Sequence, residues 1–334
     1  MISPTLGGGV GRYSGLHGMI GDQLLSARVV IANGSIVTAS ARQNPELFWA
    51  LRGAGSNFGV VTEATYQVYD LTSPTITNAD YAFSPNASGA IFDWMAAFGD
   101  ATPAELAILL FGNYDTTKGD LSLWLNVVYA GRQSAVQPLL NSLLAEVTPY
   151  RQNISEVPWN KMLYTNFFGV VPNAEAGCAG KGTNRSVYGG ALKSYEKAAW
   201  NGFVANFSDF LRANEDARGS IFFIEQFSKV KVLQIPDDET AYPWRDVTAH
   251  LLWNYGWHKD ETLATIERYG KHWRDKLQAF SGFSPQEIYV NYGHGDESSE
   301  VLYGAKKLPK LRRLKQIWDP KNVFGFYDSF VKRG

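Results

Sequence analysis

Ile288-Tyr-Val-Asn-Tyr-Gly293 brings two tyrosines and an asparagine out of an apolar run at strand spacing. Read as a strand, it puts Tyr289, Asn291 and Gly293 on one side and Val290 and Tyr292 on the other. The loop that follows, His294-Gly-Asp-Glu-Ser-Ser299, is strongly polar, so the pair has the makeup of a cleft wall. Tyrosine is also at home in strands and at core edges. Spacing alone favours that plainer reading, and the case for a site comes from the sequence at the two ends of the chain.

The chain has 334 residues, 45% of them hydrophobic and 14% aromatic, enough for a large core and for two domains. A formal net charge of −1 without blocks of like charge gives no electrostatic reason to expect nucleic acid or an anionic membrane as partner. The lone Cys178 excludes an internal disulfide framework and reads as a structural thiol, and His17, His250, His258, His272 and His294 show no close metal-ligand spacing. The first nine residues have neither a basic region nor a continuous apolar run, so they are not read as a secretory signal, and no transmembrane span is predicted. Asn-x-Ser acceptors at Asn33, Asn86, Asn153, Asn184 and Asn206 would suit a secreted protein, which sets the two signals in conflict.

Leu6-Gly-Gly-Gly-Val-Gly-Arg12 invites a dinucleotide fingerprint but fails it, because Arg12 or Ser14 falls where the third glycine belongs and no strand precedes. What remains is a glycine turn that lets backbone approach a flat or charged ligand. Leu24–Ala32 and Ser35–Ala39 flank Asn33-Gly34, which predicts an antiparallel hairpin. A short helix follows, with Asn44 as N-cap, Pro45 at its first position and Gly53 past its end. After the small-residue loop Gly53–Gly59, Val60–Tyr69 alternates as a strand, with Val60, Ala64, Tyr66 and Val68 on one face.

From Leu71 the glycine-rich loops thin out, which marks a domain boundary. Helices are predicted over Ala87–Phe98, Ser134–Val147, Ser194–Ala213 and Asp260–Phe280, the last burying Leu263, Ile266, Trp273 and Leu277. Strands are predicted over Leu121–Tyr129, Ser220–Phe227 and Val247–Tyr255. Their irregular order argues for an α+β fold with an antiparallel sheet over a doubly wound one. Glu225 stands in an otherwise apolar strand, where burial would raise its pKa and make it a proton acceptor or substrate anchor, unless it simply faces outward. Gly177–Gly190 reads as a mobile surface loop near a cleft mouth, and Leu308–Trp318 as a Pro-started helix with a solvated basic face.

Leu6–Gly11, Gly15-Leu-His-Gly18 with Asp22, Pro45–Gly53, Phe58-Gly-Val-Val61, Tyr289-Val-Asn-Tyr292 and Trp318–Phe324 together resemble the berberine bridge enzyme-like FAD-linked oxidoreductases, fungal ones especially. These belong to the FAD-binding PCMH type of the vanillyl-alcohol oxidase superfamily. The resemblance implies the second part of a flavin domain over 1–70, a substrate domain with a large antiparallel sheet flanked by helices over 71–284, and a C-terminal segment over 285–334 that returns to the flavin domain. It implies FAD as cofactor, lined by Gly7, Gly8, Gly9, Gly11, Asp22 and Val61, with Tyr289 and Asn291 supporting the ring. Tyr292 matches the residue that acts as catalytic base in several members, with Glu225, from its apolar strand, as the alternative; the partner is a small-molecule substrate, with the oligomeric state open.

Family members carry a flavin-attaching subdomain ahead of the glycine turn, so this sequence is expected to be an N-terminally truncated member. With that subdomain the protein would be extracellular, and without it cytoplasmic. Two functions compete. One is an oxidase or dehydrogenase moving a hydride from an alcohol or activated C–H of a secondary metabolite or carbohydrate to the flavin. The other is a non-catalytic homologue that at most binds a small molecule or a partner.

Overall fold

The structure, a computed structural model, describes residues 2–177 and 182–331. Two compact units divide the chain, unit 1 being Met1–Asp70, Lys229–Val247 and Ser284–Gly334, and unit 2 Leu71–Ser228 and Thr248–Phe283. Lys229–Val247 falls within the 71–284 segment of the sequence reading but packs in unit 1. The reason is local: the N–H groups of Ala241 and Tyr242 bond the carbonyls of Trp49 (3.2 Å) and Arg52 (3.0 Å) at the end of the helix Pro45–Ala54.

Unit 1 is built on the expected hairpin, β1 (Leu24–Val30) and β2 (Ile36–Ser40), joined through Asn33-Gly34 with Gly34 at φ 84°. β3 (Val60–Tyr66) pairs with the other edge of β1, giving the antiparallel order β2-β1-β3. The even-residue alternation expected of β3 does not hold, since a register shift beside Arg28 leaves Val60 exposed and turns Val61, Ala64 and Tyr66 toward the core. The core itself joins Leu47 and Leu51 of the helix Pro45–Ala54 to Phe58, Ile288, Leu311 and Leu314. Asn44 does precede that helix, yet its side chain caps nothing: the residue is left-handed at φ 50° and its Nδ2 donates to the Thr38 carbonyl at 2.7 Å.

The basic helix Leu308–Trp318 is not solvated along its whole polar side. Lys315 is buried, pairs with the buried Asp319 at 2.7 Å and donates to the Asn57 carbonyl at 2.7 Å. Asp319 also accepts from the N–H groups of Val323 (2.7 Å) and Phe324 (2.8 Å), so this pair fixes the turn that follows the helix. Removing one member of a buried pair strands the other charge, and Lys315→Ala should cost about 3–5 kcal/mol in urea denaturation. Arg313→Ala, which deletes the exposed pair with Glu46, should cost less than about 1 kcal/mol.

Unit 2 holds β4 (Ile76–Phe83), β5 (Leu106–Asp115), β6 (Asp120–Tyr129), β7 (Arg151–Val157), β8 (Asn184–Leu192), β9 (Ile221–Phe227) and β10 (Ala249–Trp257). They form one antiparallel sheet in the order β7-β4-β6-β5-β9-β10-β8, in keeping with the α+β expectation. β8 replaces much of the loop expected over Gly177–Gly190; Cys178 and the rest of 178–181 lie outside the described residues. The helices Ser88–Phe98, Gln133–Glu146, Lys197–Ala213 and Leu263–Gln278 supply the apolar side chains that cover one face of the sheet. Glu196 caps the third of them by accepting from Ala199 N at 2.6 Å. Ile266, Trp273 and Leu277 are buried as expected, whereas Leu263 sits in the first turn of its helix and is 45% exposed.

Because side chains alternate across a sheet, the second face carries the other residue set. Its central rung runs His250, Glu225, Leu109, Asn126, Asp80 across five strands, and the next runs Leu252, Phe223, Phe111, Trp124, Ala82.

Candidate functional site

In unit 1 the stretch Ile288–Gly293 is not a strand. Tyr289 is extended, and Val290–Tyr292 then closes a 3-10 turn in which Tyr292 N and Gly293 N bond back to the carbonyls of Tyr289 (2.7 Å) and Val290 (3.1 Å). Ile288, Tyr289 and Val290 are all buried, so the apolar pattern reports a buried turn instead of a two-sided ribbon. Tyr289 and Asn291 do meet, the amide Nδ2 donating to the phenol oxygen at 2.6 Å. Tyr292 is not on an opposite face: its ring packs edge-on against Tyr289 with centroids 5.0 Å apart.

The Tyr289 hydroxyl also accepts from Gly9 N at 3.2 Å, and Asn291 reaches the Pro4 carbonyl at 3.4 Å. A Cβ on Gly7 would fall inside the Asn291 amide, and one on Gly8, at φ 114°, inside the Tyr242 ring. The glycine turn thus lies directly against the Tyr289–Tyr292 turn. Beside them opens a cleft of about 410 Å³ walled by Ser3, Pro4 and Leu6, by Tyr289 to Tyr292, and by Tyr327. Three tyrosines, Tyr289, Tyr292 and Tyr327, line it among aliphatic and small polar residues, with the half-buried Tyr292 phenol as its candidate proton acceptor.

Asp22 and Val61 point elsewhere in unit 1. The Asp22 carboxylate is held by both terminal nitrogens of Arg245, at 2.8 and 3.1 Å, and accepts from Met19 N at 2.8 Å. Val61 lies opposite Val29 in the sheet and packs on the core. Glu225 belongs to unit 2, half-buried on the second sheet face and directly opposite His250, whose pKa burial pushes down to about 4, leaving its ring neutral at pH 7. Among the described residues no group of His, Cys, Asp and Glu could hold a metal ion, and no helix is long and apolar enough to cross a membrane.

The profile of the berberine and berberine-like family matches residues 288–329, the segment that contains the Tyr289–Tyr292 turn. An FAD-linked oxidoreductase of Aspergillus fumigatus is 45% identical over 98% of this chain, and one of Pyricularia oryzae 36% identical over 98%. The chain belongs to the berberine bridge enzyme-like family. It spans 64% of the length of each of those two relatives. Its fold matches that of a berberine bridge enzyme-like protein of Physcomitrella patens, with a TM-score of 0.82 at 22% identity over 99% of this chain and 71% of that one. A carbohydrate oxidase from Microdochium nivale gives 0.78 at 23% identity, covering 99% and 71%.

The cofactor of these relatives is FAD, and the described residues of this berberine bridge enzyme-like chain fit its two halves differently. A flat ring suits the tyrosine-lined cleft. A pyrophosphate needs converging unpaired donors, and the glycine turn does not offer them: the N–H groups of Gly7, Gly8, Gly9 and Gly11 go to Pro4 O (3.0 Å), Thr5 O (3.0 Å), Tyr289 Oη (3.2 Å) and Ser14 Oγ (3.0 Å).

Two carboxyls escaped the sequence reading. Asp80 is fully buried in β4 and accepts from Asn78 and Asn126 side chains and from Phe167 and Phe168 N–H groups, at 2.7–3.1 Å; Thr77 and Asn78 beside it broke up the apolar run that singled out Glu225. Desolvation outweighs those bonds and pushes its pKa up. Asp328 had no such signal. It lies over Gly293, close to Glu297, and burial together with that carboxylate pushes its pKa up to about 7.

Tyr289→Phe leaves the buried Gly9 N–H without its acceptor and should cost about 1–3 kcal/mol in thermal denaturation. Asp328 binds its proton more tightly folded than unfolded, where its pKa is about 4. Its contribution is therefore full below about pH 4, falls as pH rises toward about 7, and is constant above that. Asp328→Asn should flatten this part of the stability profile, read as denaturation midpoints between pH 4 and pH 8.

Proposed function

We propose that this protein is an FAD-dependent oxidoreductase that removes a hydride from an alcohol or activated C–H of a small molecule, a secondary metabolite or a carbohydrate. The observation that carries the reading is Tyr292, set in the tyrosine-lined cleft of unit 1 against Tyr289 and within the segment matched by the family profile. Bound FAD would supply the hydride acceptor. Oxidation of an alcohol also releases the hydroxyl proton, and Tyr292 Oη, as the phenolate, is the group assigned to take it and become the phenol. Tyr289 and Asn291, tied to each other and to the glycine turn, hold the Tyr292 ring in place and back the flavin ring. Gly7 and Gly8 contribute by allowing that contact, and Asp22 through its pair with Arg245.

Unit 1 is the flavin-binding part in this reading and unit 2 the substrate domain, with Glu225 as an anchor on its second face. The internally satisfied glycine turn favours a second reading for the chain by itself, a small-molecule binding module that does not retain flavin. In the FAD-loaded protein, Tyr292→Phe should lower turnover about 10²- to 10⁴-fold with an unchanged flavin absorption spectrum, while Glu225→Gln should act on substrate affinity. Full turnover in Tyr292→Phe, with the chemical step rate-limiting, sinks the assignment. Loss of turnover in Glu225→Gln alone, at unchanged affinity, exchanges the two roles.

A further inference from the structure

The helix Met162–Gly177 is broken at Asn166–Gly169, and the break contains Phe167 at φ 51° and Phe168 at φ 58°. Bulky residues avoid this left-handed region, and pairs of them persist only where the surroundings over-determine them. Here Asp80 does so, its two carboxylate oxygens accepting the N–H of Phe167 at 2.8 Å and of Phe168 at 3.1 Å. The result is that both rings lie on the second face of the sheet. Phe167 meets Phe111 at 5.8 Å, Phe168 meets Trp124 edge-on at 5.4 Å, and Phe111 stacks on Phe223 at 4.8 Å.

None of these five rings joins the helix-covered core, and Phe111, Trp124, Phe168 and Phe223 remain only half-buried. One rung further, the buried amide oxygens of Asn113 and Asn254, on either side of Ile221, have no hydrogen-bond partner among the described residues. A row of aromatic rings, Phe111 stacked on Phe223 and edge-on to Trp124, beside unsatisfied acceptors suits an aromatic ring that carries a hydroxyl donor; a sugar would need many polar partners along the same row.

We propose that this face of unit 2 recognises a planar hydroxylated aromatic ligand, laid along Phe223, Phe111 and Trp124 and bounded by the Phe167–Phe168 pair that Asp80 positions. The inference rests on reading unit 2 as the substrate domain, and its test uses binding, not turnover, so that the two can fail separately. The probes are 2-naphthol and its saturated analogue decahydro-2-naphthol, similar in size and hydroxyl but not flat, with cellobiose as the sugar, all measured by calorimetry on the intact chain. The wild type should prefer 2-naphthol by about tenfold over the saturated analogue, each stacked ring carrying roughly a two- to tenfold share. Trp124→Leu and Phe223→Leu should bring that preference toward one while keeping the thermal midpoint. Asp80→Asn, in which one backbone acceptor becomes a donor, should do the same, and if it fails to fold the two ring variants still decide. Equal affinity for the two naphthols, tighter binding of cellobiose, or a preference that survives both ring variants overturns the proposal.

Discussion

A single phenol oxygen ties the beginning of the chain to its end. Tyr289 Oη accepts from Gly9 N and from Asn291, across 280 and 2 residues of sequence, and lies 3.5 Å from the Pro4 carbonyl. Unit 1 is assembled from three separated stretches, so such non-local bonds determine whether it assembles at all. A buried hydroxyl with correct partners specifies one arrangement, because any shift leaves polar groups unsatisfied. Tyr292 inherits its place from this bond, through the tight turn and the packing of its ring on Tyr289.

The same device recurs at other irregular points of the backbone. Asp319 holds the turn after the last long helix, Asp22 the turn before β1, and Asp80 the break at Asn166–Gly169. Burying a carboxylate is costly unless several donors meet it, and each of these has them. In all three cases the donors include backbone N–H groups that no helix or strand would satisfy. The charge is therefore located where periodic structure stops.

Local patterns were legible in the sequence and coupled ones were not. The hairpin at Asn33-Gly34 and the helices Ser88–Phe98 and Lys197–Ala213 follow from turn chemistry and a 3.6-residue period, which act within a few residues. The turn at Tyr289–Tyr292 was misread because three buried residues in a row and a strand share the same short apolar signature. β4 gave no alternation at all, since every one of its residues is buried, its polar Asn78 and Asp80 included. Asn44 was assigned to the right place with the wrong bond, its amide preferring the Thr38 carbonyl across the connection from β2. Of the candidate site, Tyr289 and Asn291 were expected on one side of a strand and meet instead through a turn, while the commitment of Asp22 to Arg245 could not be foreseen from residues 223 positions apart.

The glycine-rich turn shows how such a signal should be interpreted. Glycine runs suggest anion binding because they free backbone donors to point at a ligand, yet here the donors of Gly7, Gly8, Gly9 and Gly11 are all taken within unit 1. What the missing side chains provide is room, for the Asn291 amide against Gly7 and the Tyr242 ring against Gly8. Gly11, with nothing near its absent Cβ, is not needed for space. The turn thus acts as a close-packed seat for the tyrosine-lined cleft, and the chemistry of the cleft is set by the rings that the seat admits, Tyr289 and Tyr292 foremost.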